Sequence, residues 1–170
     1  LALWYMGNYE VDSVTGSVYE KLRGKPEGNP GGGWNPETFS VEDSAFGYIR
    51  MKNGASIFLE AAWALNVKNP REAAVTLIGT EGGAEIEAGE GGYEASLNKV
   101  LANRMIVTRP NASAKDSAGF TALGILETRQ WLEAIANDTD PLVLPEQACT
   151  VTEILEAIYA SAASGEPVRF

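Results

Sequence analysis

Hydrophobic and polar positions along this 170-residue chain fall into two regimes, strand-like for the first 110 residues and helical for the last 50. The clearest local pattern is GYIRMKNGASIFLEAAW, Gly47 to Trp63. Asn53-Gly54 suits a two-residue type I′ turn, which needs φ > 0 at both central positions. β-prone residues run away from it on both sides, so a long hairpin is predicted. With that turn, Arg50 pairs with Ile57, Tyr48 with Leu59 and Phe46 with Ala61 on one face. Met51 with Ser56, Ile49 with Phe58, Gly47 with Glu60 and Ala45 with Ala62 share the other. Neither face is plainly polar. A half-exposed hairpin normally shows one polar face, so both faces are expected to be covered.

Around the hairpin the pattern continues in both directions. LALWYMGN reads as the end of a helix closed by Gly7, with no capping residue before Leu1, as if the chain were cut inside a helix. Val14, Gly16 and Val18 alternate with polar neighbours as in a strand. The Gly/Pro-rich stretch Arg23 to Thr38 reads as a loop, and its GGG lacks the strand-to-helix setting of a phosphate loop. Four strands are predicted near Ala74–Ile78, Ala84–Ala88, Tyr93–Leu97 and Arg104–Thr108, with a polar loop from Arg109 to Gly119. Two helices follow. One carries Ile125, Thr128, Leu132 and Ile135 on a stripe; the other starts at Pro145, ends at Gly165, and turns Ala148, Val151, Leu155, Ile158 and Ala162 toward a sheet. EPVRF adds a short last strand. The predicted fold class is α+β: a mainly antiparallel, open-faced sheet with helices packed on one face.

Charge and chemistry narrow the function classes. A formal net charge of −10 opposes unassisted binding to nucleic acid or acidic membranes. No apolar run approaches the roughly 18 residues of a spanning helix, and no signal-peptide pattern is present. One cysteine excludes an internal disulfide and suits a cytoplasmic setting. With no histidine, the chain has no imidazole base, no Ser-His-Asp triad and no His-ligated metal, so no metal site is expected.

LALWYMGN, VEDSAFGYIRMKNGASIFLEAAW, VTLIGTEGGAEI and EILEAIYASAASGEPVRF, in that order, resemble the C-terminal domain of the glucose–fructose oxidoreductase / inositol dehydrogenase / MocA family over nearly the whole chain. The resemblance implies a dihydrodipicolinate-reductase-like fold and a single substrate-binding and oligomerisation domain, residues 1–170, preceded in the full-length protein by a Rossmann domain that binds NAD or NADP. It also implies hydride transfer to or from a sugar, cyclitol or related hydroxyl compound. The dinucleotide fingerprint and the family's Glu-Lys-Pro motif are absent here, and the catalytic Asp and His of the resembled family would precede Leu1. This chain alone is therefore expected to hold no catalytic residue and to bind no cofactor. The segments Lys25–Phe39 and Pro110–Thr121 depart from the simplest family pattern, which leaves the substrate class open.

Candidate substrate contacts are Trp63, Asn66 and Lys68 beyond the hairpin, Glu60 within it and Trp34 in the loop. Each has a plainer reading: Trp34 as a plug on the core, Glu60 in a structural pair, Asn66 and Lys68 as loop residues. Arg71 is expected to pair with nearby carboxylates, and Glu127, Glu153 and Glu156 to lie on solvated helix faces. Phe46, Tyr48, Arg50, Ile57 and Leu59 form the candidate face for a homodimer or tetramer. The rival reading is a self-standing module without catalysis, either binding carbohydrate through Trp34 and Trp63 or serving only in dimerisation.

Overall fold

A computed structural model describes residues 1–25, 34–35, 37–63, 67–68, 71, 73–89, 92–110 and 120–170. The chain divides into two compact units: Leu3–Lys68 with Pro145–Phe170, and Asn69–Leu144 with Leu1–Ala2. The fold class is α+β, as the sequence pattern predicts, but the strands form two four-stranded antiparallel sheets.

The first unit begins with the helix α1 (Ala2–Met6). Gly7, at φ +58°, closes it: the Gly7 amide donates to the Trp4 carbonyl at 3.1 Å and the Asn8 amide to the Leu3 carbonyl at 3.2 Å. This is the paired bonding of a Schellman cap. Then come β1 (Val11–Tyr19), β2 (Ser44–Met51) and β3 (Ser56–Ala62). The helix α3 (Pro145–Ser164) and the strand β8 (Val168–Arg169) complete the unit, whose strand order is β3-β2-β1-β8.

The hairpin register differs from the predicted one by one residue. Arg50 pairs with Ser56, Tyr48 with Phe58 and Phe46 with Glu60. The Gly54 amide donates to the Met51 carbonyl, the Met51 amide to the Ala55 carbonyl, and only Gly54 of the turn has positive φ (+90°). These features describe a three-residue loop, Lys52-Asn53-Gly54, with glycine in the left-handed position, not a type I′ pair. Because side chains alternate along a strand, the slip exchanges the two faces of β3 relative to β2. Ile57 and Leu59, placed by the sequence pattern on the open face, join the core side. Phe58 and Glu60 take their place outside.

That core lies between the sheet and α3. Leu3, Val11, Val14, Ile49, Met51, Ile154, Ala157 and Ile158 are its buried members, with Ile57, Leu59 and Val168 packed against them. Gly16 of β1 lets α3 come very close. A Cβ there would stand 2.7 Å from the Ile158 carbonyl oxygen and 2.8 Å from its Cα. The Gly16 amide donates to Ser161 Oγ at 3.0 Å, and Ser161 is 1% exposed. The buried face of α3 is Ile154, Ala157, Ile158 and Ser161. Val151 and Leu155, expected to face the sheet, are 44% and 43% exposed. Apolar residues occupy more than one stripe of this helix, so periodicity alone does not choose between them.

The second unit holds β4 (Val75–Ile78), β5 (Gly83–Gly89), β6 (Gly92–Leu101) and β7 (Arg104–Thr108) in the order β4-β5-β6-β7, with the helix α2 (Phe120–Asn137). The register places Val75, Leu77, Ala84, Ile86, Ala95 and Leu97 on one face, and Thr76, Glu85, Glu87, Glu94 and Ser96 on the other. Arg71 pairs with Glu87 across this polar side, in line with the sequence reading. The two-residue turn with both φ positive occurs here, at Ala102 (49°) and Asn103 (60°) between the paired Leu101 and Arg104. Neither position is glycine, so the Asn-Gly signal of the other hairpin had no counterpart here.

Candidate functional site

The candidate site is the end of the first unit's sheet farthest from the hairpin turn, where β1 ends, β2 begins and β3 ends. Three aromatic rings meet there. Trp34 and Phe39 are edge-to-face with centroids 4.7 Å apart, Trp34 and Trp63 likewise at 5.1 Å, and Phe39 and Trp63 are tilted at 4.7 Å. Spacings of this kind are favourable beyond simple burial, and they turn each ring toward its neighbours. Trp34 and Trp63 are thus brought together, with Phe39 against both, so the rings tie Trp34 to the strand end.

Asp43 organises the polar side of this corner. It is 7% exposed. Its Oδ2 accepts the Leu22 amide at 2.8 Å and its Oδ1 accepts the Ser44 hydroxyl at 2.9 Å. Its amide donates to the Tyr19 carbonyl at 2.9 Å, and its carbonyl accepts the Trp63 amide at 3.3 Å. A buried carboxylate needs such partners. Glu42 beside it links two further elements: its carbonyl accepts Trp63 Nε1 at 2.9 Å, and its Oε1 accepts the Tyr159 hydroxyl of α3 at 2.7 Å. Sequence reading passed over Phe39, Glu42, Asp43 and Tyr159. The bonds from Leu22 to Asp43 and from Tyr159 to Glu42 span 21 and 117 positions, and no local period reports those.

The Tyr159 pKa is raised above its ordinary value of 10.0, first by the hydrogen bond its hydroxyl donates to the Glu42 carboxylate, then by desolvation on burial and by repulsion between the Glu42 charge and a phenolate. A raised folded-state pKa means that the contribution is complete below the unfolded value and declines as pH rises through the folded one. Tyr159→Phe is therefore expected to reduce the loss of stability above about pH 10 relative to the parent. Urea unfolding of both proteins from neutral to alkaline pH checks this; parallel profiles would count against it.

The other candidates lie elsewhere or apart. Glu60 is exposed on the open sheet face opposite Phe46, not among the helices. Lys68 is exposed. Asn66 lies outside the described residues. The open face itself carries Phe46, Tyr48 and Arg50 beside Ser56, Phe58 and Glu60. Tyr48 and Phe58 are in ring contact at 5.1 Å, Tyr19 meets Phe46 at 6.1 Å, and the Tyr48 hydroxyl lies 3.0 Å from Ser56 Oγ. Phe58 is 79% exposed. Among the described residues no helix is long and apolar enough to cross a membrane, and no group of three or more potential ligands clusters for a metal ion.

Comparison with known proteins gives this geometry a context. Residues 1–170 match the family described as "Oxidoreductase family, C-terminal alpha/beta domain", the C-terminal domain of the Gfo/Idh/MocA proteins. The chain belongs to this family. It is 26% identical over 172 residues to D-glucoside 3-dehydrogenase of Escherichia coli K12, covering 99% of this chain and 45% of that protein. An NAD binding oxidoreductase from Klebsiella pneumoniae superposes with a TM-score of 0.74 at 19% identity, over 99% of this chain and 46% of the other. Levoglucosan dehydrogenase in complex with NADH and levoglucosan gives 0.74 at 20% identity, over 94% and 45%. At these identities the structures show the shared fold. This Gfo/Idh/MocA domain thus spans about half the length of the relatives it matches.

Proposed function

We propose that this chain is the C-terminal domain of a larger NAD- or NADP-dependent oxidoreductase acting on a sugar, cyclitol or related hydroxyl compound. The supporting observation is the match of the whole chain to the family's C-terminal domain while it spans 45% of a D-glucoside 3-dehydrogenase. The nicotinamide would be held by a Rossmann domain in the rest of the protein, with the redox chemistry supplied by the cofactor. This chain's part is to wall the substrate cleft and to carry an oligomer interface, and the fragment alone is inactive.

For the wall, the segment after Trp63 is the candidate, because the corner built by Asp43 and the aromatic cluster fixes where that segment departs. Asn66 and Lys68 would present polar groups to a hydroxylated substrate. In the full-length enzyme, Asn66→Ala with Lys68→Ala is expected to lower kcat/KM several-fold, since each lost hydrogen bond costs on the order of 1 kcal/mol. Steady-state kinetics on a sugar and cyclitol panel measures this. Unchanged kcat/KM in the double variant would remove the segment from the cleft.

For the interface, the open face of β2 and β3 mixes Phe46, Tyr48 and Phe58 with Arg50 and Glu60. Interface cores are enriched in aromatics and Arg. A second copy packed on this face across a two-fold axis would form a homodimer, or a tetramer by repetition. A cytoplasmic setting, which the single cysteine suits, belongs to the same proposal.

A further inference from the structure

Trp34 Nε1 is fully buried and has no acceptor within hydrogen-bond reach among the described residues. The neighbouring indole makes the contrast: Trp63 Nε1 donates to the Glu42 carbonyl at 2.9 Å. Leaving a buried N–H without a partner is costly, and nearly all such groups in folded proteins find one. Trp34 also lines a small cavity whose other walls include Glu20, Leu22, Arg23, Phe39, Asp43 and Trp63. The centre of a water-sized sphere has about 10 Å³ to occupy there. That is close to the least space that holds one water molecule.

We infer that this cavity is a specific site for one internal water, which accepts from Trp34 Nε1 and donates to the Asp43 carboxylate. The chemistry of the walls selects this ligand. The indole N–H requires an acceptor and the Asp43 carboxylate requires a donor, which one water supplies together. Arg23 and Glu20 on the same wall pair with each other at 3.2 Å, so that pair adds no unbalanced charge that would select a cation or an anion. The volume excludes anything much larger than a single hydroxyl-sized group. Asp43 has capacity for the bond: its two oxygens accept one hydrogen bond each from Leu22 and Ser44, and a carboxylate offers about four lone-pair sites. The water would extend the Asp43 hydrogen-bond network, which already includes the Trp63 amide, to Trp34.

A crystal structure that resolves ordered solvent tests the site. Water within about 3.2 Å of both Trp34 Nε1 and an Asp43 carboxylate oxygen is the expected result. A protein carbonyl bonded to Nε1, or a side chain filling the cavity, would overturn the proposal. In solution, ¹⁵N-tryptophan labelling gives a second readout. Trp34→Phe keeps a ring and deletes the donor, so the indole signal it removes is that of Trp34. That signal is expected to show cross-relaxation to a bound water, while the Trp63 signal shows none. Absence of the Trp34 cross-peak would count against the site. If Trp34→Phe does not fold, the crystal structure of the parent decides alone.

Discussion

Gly16→Val is expected to be the most destabilising small change in the first unit, at about 3 kcal/mol, near the upper end for overpacking a core. The reason is what the new side chain meets. A Cβ at Gly16 comes within 2.8 Å of the Ile158 Cα and 2.7 Å of its carbonyl oxygen, which are backbone atoms that cannot rotate away. α3 must lift from β1, and the bond from the Gly16 amide to Ser161 Oγ then lengthens or breaks. Gly47→Ala provides the control. Its Cβ is crowded by side-chain atoms, Ile158 Cδ1 at 2.7 Å and Cγ1 at 3.2 Å, with Ile49 Cδ1 in ordinary contact at 3.6 Å. A rotamer change relieves that contact, so a loss of about 1 kcal/mol is expected. Chemical denaturation of both variants measures the difference. Equal effects would show that α3 moves as a rigid unit whatever it meets.

The second large effect separates the two faces of β3. Leu59→Asp is expected to unfold the unit, not merely to dissociate an oligomer, because Leu59 packs against the core. A carboxylate placed there without a partner costs several kcal/mol, roughly 3 after allowing for partial exposure. Phe58→Asp, one residue away, is expected to leave stability within about 0.5 kcal/mol, since the side chain is 79% exposed. If the open face is the oligomer interface, Phe58→Asp dissociates it while the domain stays folded. Light scattering and urea unfolding on the pair resolve the matter. A stable, folded Leu59→Asp protein would contradict the observed register.

These two neighbours also show what the sequence could and could not convey. Among the described residues, strands and helices lie where alternation and three- to four-residue spacing place them, although β7 is exposed at every position and the Ile125, Leu132 and Ile135 stripe of α2 is exposed as well. Register did not follow, because Asn53-Gly54 satisfies two turn geometries: a two-residue type I′ turn, or the last two residues of a three-residue loop with Gly54 left-handed. One residue of difference moved Ile57 and Leu59 inside. In α3, Ile154 and Leu155 are adjacent and both apolar, so the pattern suited two neighbouring stripes and tertiary packing chose Ile154. The corner around Asp43 was not legible for another reason. Its bonds join Leu22, Trp63 and, through Glu42, Tyr159, and loops have no period to mark such partners. Trp34 and Trp63 stood out by residue type alone; that they contact each other, with Phe39 against both, required the fold.

The central claim is that this domain supplies the substrate side of a nicotinamide enzyme whose cofactor is held by the rest of the protein. Isothermal titration with NAD(H) and NADP(H), run in parallel on the 170-residue chain and on the full-length protein, tests it most directly. Saturable binding of one of the two nicotinamides by the full-length protein and no saturable heat from the 170-residue chain are the expected results. Saturable binding by the chain alone, or none by the full-length protein, would contradict it.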